Sequence, residues 1–283
     1  MKISEAVDRI LAYHPHLEDY HGCDEFKYGD PDRECTGVVT ALVPTVEVIR
    51  KAAALGCNLI VAHEPIFYQT PDFPEWKGNF ANSVVEEKQK LLEETGITVW
   101  RDHDHMHAHK PDSIFTGVIR YMGWEPYYKP SEDPFTYCLD LPETTVGDLA
   151  AYIKDKLHLN GLRYMGRDSD RISRIALVGH IYPNSFIPDH MGDDGFYYDY
   201  SMEVIRLMEE RGVQAILPGE IIEWTTLAYI RDGIAQGRPM AMYNIGHFNW
   251  EELGMRYMED WLSELVPELP VHYVPTGDAF SYV

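Results

Sequence analysis

Along the first hundred residues the apolar positions change period in a regular order. Their patterning predicts a short helix from about Ile3, a strand near Gly37 to Val43, a helix near Val46 to Leu55 and a strand near Asn58 to Ala62. Alternation of this kind is the grammar of βαβ units. Ser83-x-x-Glu86 reads as a capping box that opens a helix running to about Glu94, Gly96 ends it, and ITVW at 97–100 makes the next strand. The stretch EPYYKPSEDP, 125–134, has three prolines and no periodicity, so it marks the internal boundary. Residues 1–126 are expected to form an N-terminal α/β lobe. Residues 127–283 form a C-terminal one, with a second series of strands and helices from Phe135.

The two halves echo each other. VEVIRKAAALGCNLIVAHE at 46–64 aligns without a gap to MEVIRLMEERGVQAILPGE at 202–220, with seven identities in 19 positions where average residue usage gives about one. The self-similarity predicts two copies of one helix-plus-strand unit related by pseudo-twofold symmetry. Glu64 then matches Glu220, each at the carboxyl end of a buried strand, where open α/β sheets place their ligands. Shared ancestry or helix capping would explain the matching glutamates equally well. The fold class that follows is α/β, two similar βαβ-containing lobes with mixed sheets.

Two long stretches carry no periodicity. IFYQTPDFPEWKGNF at 66–80 is rich in aromatics and prolines, and HIYPNSFIPDHMGDDGF at 180–196 in Gly, Pro and Asp. Loops of this length are often lids or binding loops. Oligomer contacts through Phe67, Tyr68, Phe73 and Trp76 are the alternative.

Composition narrows the function classes. A chain of 283 residues with 45% apolar residues can bury a sizeable core. Its 24 basic residues against 46 acidic ones, a formal charge of -22, repel nucleic acid and anionic membrane surfaces and attract dissolved divalent cations. No nucleic-acid or membrane partner is expected. Cys23, Cys35, Cys57 and Cys138 show no CxxC spacing, and MKISEAVDRILAY lacks a signal-peptide hydrophobic region. Reduced thiols and a cytoplasmic location follow. Apolar runs such as LIVA at 59–62 are far shorter than the roughly 18 residues of a membrane span. GxGxxG, GxxxxGK[ST] and GxSxG are absent, which leaves dinucleotide, P-loop and α/β-hydrolase chemistry without support.

Three short stretches carry candidate chemistry, each after a predicted strand: His63 and Glu64 in LIVAHEP, the run His103, His105, His107, His109, and His247 with Glu251 in GHFNWE. Alternation puts the four histidines on one side if the backbone stays extended, so that two imidazoles aim at one ion. Pro111 predicts a turn and a new helix, which sets His109 out of line and leaves His103 and His107 as the stronger pair. His63-Glu64-Pro65-Ile66-Phe67 begins like the HExxH of zinc proteases, but Phe replaces the second histidine and Pro65 holds Glu64 away from helical geometry. What remains is a His and a carboxylate at a strand end, ordinary ligands for first-row divalent metals. Asn249-x-x-Glu252 reads as a capping box, so Glu251 falls in a first helical turn, where it would also complement the helix dipole.

Together these stretches resemble the Nif-three-like dinuclear-metal family, the type-two GTP cyclohydrolase I homologues, over nearly the whole chain. The family pattern is a strand ending in His-His, a His-x-x-x-Asp after a later strand, then Gly-Glu and a final Gly-His-x-x-x-Glu. Its first histidine falls on His63, the next on His103, the last on His247 and its closing glutamate on Glu251; Gly219-Glu220 and Gly246-His247 are the most specific matches. Two positions depart, since the family's second histidine is Glu64 here and its aspartate is His107. At the five ligand positions His63, Glu64, His107, His247 and Glu251, the count of three imidazoles and two carboxylates survives this exchange.

The resemblance implies two divalent ions, of Zn, Fe, Mn, Co or Ni, held by His63, Glu64, His103, His107, His247 and Glu251. Four positive charges less two glutamates leave about +2, which favours hydroxide or an anionic group. A pair of metals roughly 3.5 to 4 Å apart can activate water and stabilise both oxygens of a displacement. The expected function is metal-dependent hydrolysis, of cyclohydrolase or phosphoesterase type, of a small substrate, nucleotide-like ones included. His103, His105 and Glu220 are the candidate acid and base. A non-catalytic metal-binding assembly or regulatory protein is the alternative, and the resemblance implies a homohexamer for both.

Overall fold

A computed structural model describes residues 1–68, 82–131 and 137–283. In chain order the elements of the first half are α1 (Ile3–Tyr13), β1 (Phe26–Tyr28), β2 (Val38–Ala41), α2 (Val46–Ala54), β3 (Leu59–Ala62), α3 (Ser83–Thr95), β4 (Thr98–Arg101), α4 (Asp104–Ala108) and α5 (Ser113–Met122). There follow β5 (Tyr128–Lys129), β6 (Tyr137–Thr145), α6 (Val146–Lys156), β7 (Arg163–Met165), β8 (Arg171–Val178), β9 (His190–Met191), β10 (Tyr197–Tyr198) and α7 (Tyr200–Glu210). The last are β11 (Ala215–Pro218), α8 (Thr226–Ala235), β12 (Ala241–Asn244), α9 (His247–Leu265) and β13 (Val271–Tyr273).

The chain is not divided at a single point. One compact unit comprises Met1–Val118 with Glu251–Gly277, the other Ile119–Trp250 with Asp278–Val283. A cut at 126 misses the return of the C-terminal segment to the first unit. The reason is strand pairing: Val271, His272 and Tyr273 of β13 lie parallel to Val38, Val39 and Thr40 of β2.

In the first unit the strand order is β1-β4-β3-β2-β13, parallel except for β1. LIVA and TVWR, β3 and β4, are buried along their whole length, as strands of a parallel sheet covered on both faces must be. Val48, Ile49 and Ala52 of α2 and Leu92 of α3 pack on Ile60, Ala62 and Val99 beneath them. Thr45 caps α2, its hydroxyl accepting from the Val48 N–H. The cap of α3 is Asn82, not Ser83: the amide oxygen of Asn82 accepts from Val85 N–H at 3.0 Å. Gly96 ends that helix as expected, at φ +63°. In-register pairing of Ala62 with Arg101 sets the carboxyl ends of β3 and β4 side by side, so His63 and Asp102 emerge together.

In the second unit the order is β5-β6-β8-β11-β12-β7, with β8, β11 and β12 parallel and β6 and β7 antiparallel to their neighbours. Both sheets are therefore mixed, in a two-lobed α/β fold. The internal alignment is reproduced residue for residue. α2 and β3 occupy 46–54 and 59–62, the C-terminal parts of α7 and β11 occupy 202–210 and 215–218, and β3 and β11 each lie between two parallel strands. Val204 and Met208 of α7 pack on Ile216 as Val48 and Ala52 pack on Ile60 in the first unit.

Phe73, Trp76 and the remainder of the aromatic stretch from 69 lie outside the described residues, as do 132–134 of the expected boundary.

Candidate metal centre

One expectation fails at the histidine run. Residues 104–108 form α4, with His107 N–H bonded to His103 C=O and His109 N–H to His105 C=O, each at 3.1 Å. The period is therefore helical, and the four imidazoles separate into pairs four residues apart. His103 and His107 face one way. His105 turns to Asp24, its Nδ1 at 2.8 Å from Oδ2, and His109 stacks on Tyr13 with ring centroids 4.7 Å apart.

Asp24 explains why the chain turns helical here. Its Oδ1 accepts from the N–H groups of His103 (2.7 Å) and Asp104 (3.1 Å), and its Oδ2 from that of His105 (2.9 Å). A remote carboxylate thus satisfies the open amides at the start of α4. His105 and the amides hold its carboxyl below the usual range despite burial, which alone would raise it. Asp104, next to His103, is held low in the same way by His103 and Tyr20 against the effect of burial.

His63, His103 and His107 form one group, each offering a ligand atom within 4.8 Å of the others'. In all three rings Nδ1 is engaged by an oxygen: His63 by the Asp102 carbonyl (3.0 Å), His103 by Asp104 Oδ1 (2.8 Å) and His107 by Asp112 Oδ2 (2.7 Å). This is how metal-ligating imidazoles are oriented, with Nδ1–H donating outward and Nε2 presented to the ion. At His63 the assignment is forced. A carbonyl only accepts, so Nδ1 carries the proton, and burial lowers the pKa to about 3, so the ring is neutral. Nε2 is then a bare lone pair, buried and without a hydrogen-bond partner. Facing it at 3.5 Å is a carboxylate oxygen of Glu251, fully buried. Two lone pairs aimed at each other in a dry interior repel unless a cation stands between them. The donor set fits a divalent ion.

Glu64 is directed elsewhere. Arg101 Nη2 lies 3.4 Å from its carboxylate, while Arg101 Nε donates to the His63 carbonyl at 2.8 Å. Glu64 belongs to none of the groups of converging ligand atoms found among the described residues.

In the second unit His247 Nδ1 lies 3.2 Å from Glu220 Oε2, and the His247 ring centroid is 4.3 Å from that of His180. His180 Nδ1 accepts from the Glu220 N–H at 2.9 Å. The two specific glycine motifs have steric causes. A Cβ on Gly219 would fall 2.7 Å from His180 Nδ1, and Gly246 sits at φ +83° just before α9. Four residues after His247, on the same helix, comes Glu251.

Sequence reading missed His180, Asp24, Asp102, Asp104 and Asp112. His180 did carry a signal, because Leu177-Val178-Gly179-His180 ends a strand in histidine as LIVAHE does. The aspartates act through hydrogen bonds to residues as much as 81 positions away, and spacing does not encode those.

The family model described as Duf34/NIF3 (NGG1p interacting factor 3) matches residues 19–180. The chain belongs to this family. It is 24% identical over 259 residues to a GTP cyclohydrolase 1 type 2 homolog of Clostridium perfringens, covering 89% of this chain and 87% of that protein. For the protein of the same description from Clostridium acetobutylicum the identity is 23% over 234 residues, 79% and 75% of the two chains. Among solved structures, Staphylococcus aureus protein SA1388 superposes with a TM-score of 0.72 at 20% identity, covering 100% of this chain and 99% of that one. A Bacillus cereus protein related to NIF3 gives 0.70 at 14% identity, with the same coverage. At such identities these structures establish the fold.

All four cysteines are buried and unbridged, and no helix among the described residues is long and apolar enough to cross a membrane.

Proposed function

We propose that this chain binds two divalent metal ions and uses them to hydrolyse a small substrate. The observation that carries the reading is the bare Nε2 of His63 facing the Glu251 carboxylate at 3.5 Å, with the His103 and His107 rings 4.5 and 5.1 Å away. His63, His103, His107 and Glu251 would hold the first ion. His247, oriented through Nδ1 by Glu220, would serve the second. Such ions supply Lewis acidity, which lowers the pKa of water and stabilises oxyanions. Glu220, whose side chain is more than half exposed, is the better candidate for general base; His105, locked to Asp24, serves to position α4 instead. The names of the clostridial relatives support a cyclohydrolase among the reactions to screen.

The test is metal analysis of the purified protein combined with a turnover screen over phosphoesters, amides and nucleotides. About two ions per chain with turnover supports the hydrolase. Two ions with no turnover anywhere supports a metal-binding assembly protein, and no bound ion ends both readings. We place the protein in the cytoplasm, where four buried, unpaired thiols persist, and assign it a homohexamer, with Met191, Phe196, Tyr197 and Trp224 among the exposed apolar side chains available for contact.

A further inference from the structure

In the second unit a cavity of about 340 Å³ lies between α8 and the sheet edge formed by β12 and β7. Its floor follows from strand register. Met165 pairs with Met242 and Arg163 with Asn244, which sets these two cross-strand pairs on one face. Leu227 and Arg231, one turn apart on α8, close the other wall. The result is an apolar slot with a cationic rim, the usual composition of a small-molecule site.

The charge on that rim is unusual for this chain. Against an overall charge of -22, the cavity is lined by two arginines and one glutamate. Arg163 is paired with Glu223 at 2.8 Å, but the side chains are 69% and 67% exposed, so the pair is weak and easily exchanged for another anion. Arg231 makes no ion pair with any described residue. Tyr164, between Arg163 and Met165 on β7, alternates to the opposite face of the sheet, where its ring stacks on Tyr243 and its hydroxyl donates to Asp168 at 2.8 Å. The cavity also touches Ile221 and Asn244, next to Glu220 and at the end of β12, hence at the carboxyl edge of the parallel strands.

We propose that this cavity binds a small organic anion with a planar, apolar body, its charged end held by Arg231 and Arg163 and its body between Leu227 and the Met165–Met242 pair. The site does not depend on the metal reading and is tested without any ion. Isothermal titration in the presence of a chelator compares 2-naphthoate with its uncharged isostere 2-naphthamide. The carboxylate binds with a Kd below about 1 mM and at least about tenfold more tightly than the amide, the worth of one charge-assisted hydrogen bond. Arg231→Ala removes that preference. Ala228→Trp, a change at an exposed position of the lining, fills the cavity and abolishes binding of both, while circular dichroism shows the fold retained. Absence of naphthoate binding, equal affinity for acid and amide, or unchanged binding by Ala228→Trp overturns the proposal.

Discussion

His63 and His107 lie in the same group, yet burial and neighbouring charge move their pKa values apart. Burial takes His63 down to about 3, while for His107 the Asp112 and Glu251 carboxylates overcome burial and raise it to about 9. The stability contributions then have opposite signs. Between about pH 3 and 6.5 the unfolded chain takes up a proton that buried His63 refuses, so stability is lost as the pH falls through that window. The His107 contribution is fully present below 6.5 and is lost as the pH rises towards 9. Melting of chelator-treated protein is therefore expected to peak near pH 6.5; a Tm that is flat from pH 4 to 9 contradicts these assignments. Ligation also requires a neutral ring, so binding of Zn(II) at pH 7 should release about one proton from His107, measurable with a weakly buffered indicator. His63→Gln should keep the fold and lose an ion per chain, and unchanged metal content in that variant removes His63 from the centre.

Two aspartates show what a helix terminus contributes to the group. Asp112 Oδ1 accepts from the N–H groups of Ile114 and Phe115 at the start of α5 while its Oδ2 orients His107. Asp112→Ala should cost about 1 kcal/mol as a lost cap and weaken metal affinity by roughly 10 to 100-fold as a lost orienting group. Asp24 holds three amides of α4 and the His105 ring. Asp24→Ala should lower stability by roughly 2 kcal/mol in denaturant unfolding and scatter His103 and His107. A variant that melts normally and binds metal normally would show that α4 forms without this anchor. The error over the histidine run belongs at this scale too. His-x-His spacing suits a strand, and nothing local in DHDHMHAH announces that Asp24, some eighty residues earlier, supplies the missing amide acceptor.

For the whole molecule the consequence is linkage between metal and fold. An ion that binds only the folded chain at 100 times its Kd adds about 2.7 kcal/mol, so chelation should lower the Tm by several degrees and readdition restore it. Light scattering should give about six times the 32.6 kDa chain mass, and a monomer withdraws the hexamer.

The first fold elements and the duplicated helix-strand unit were legible because they depend on local periodicity, and periodicity is written in the sequence. So were His63, His103, His107, His247 and Glu251 as candidates, since their residue types and strand-end positions are local properties. Tertiary structure decided which nitrogen each imidazole presents, that Glu64 turns to Arg101 rather than to the three histidines, and that His180 joins His247. It also returned β13 to the first sheet. Each of these rests on hydrogen bonds and register between segments far apart in the chain, and no pattern of nearby residues specifies which distant partner will arrive.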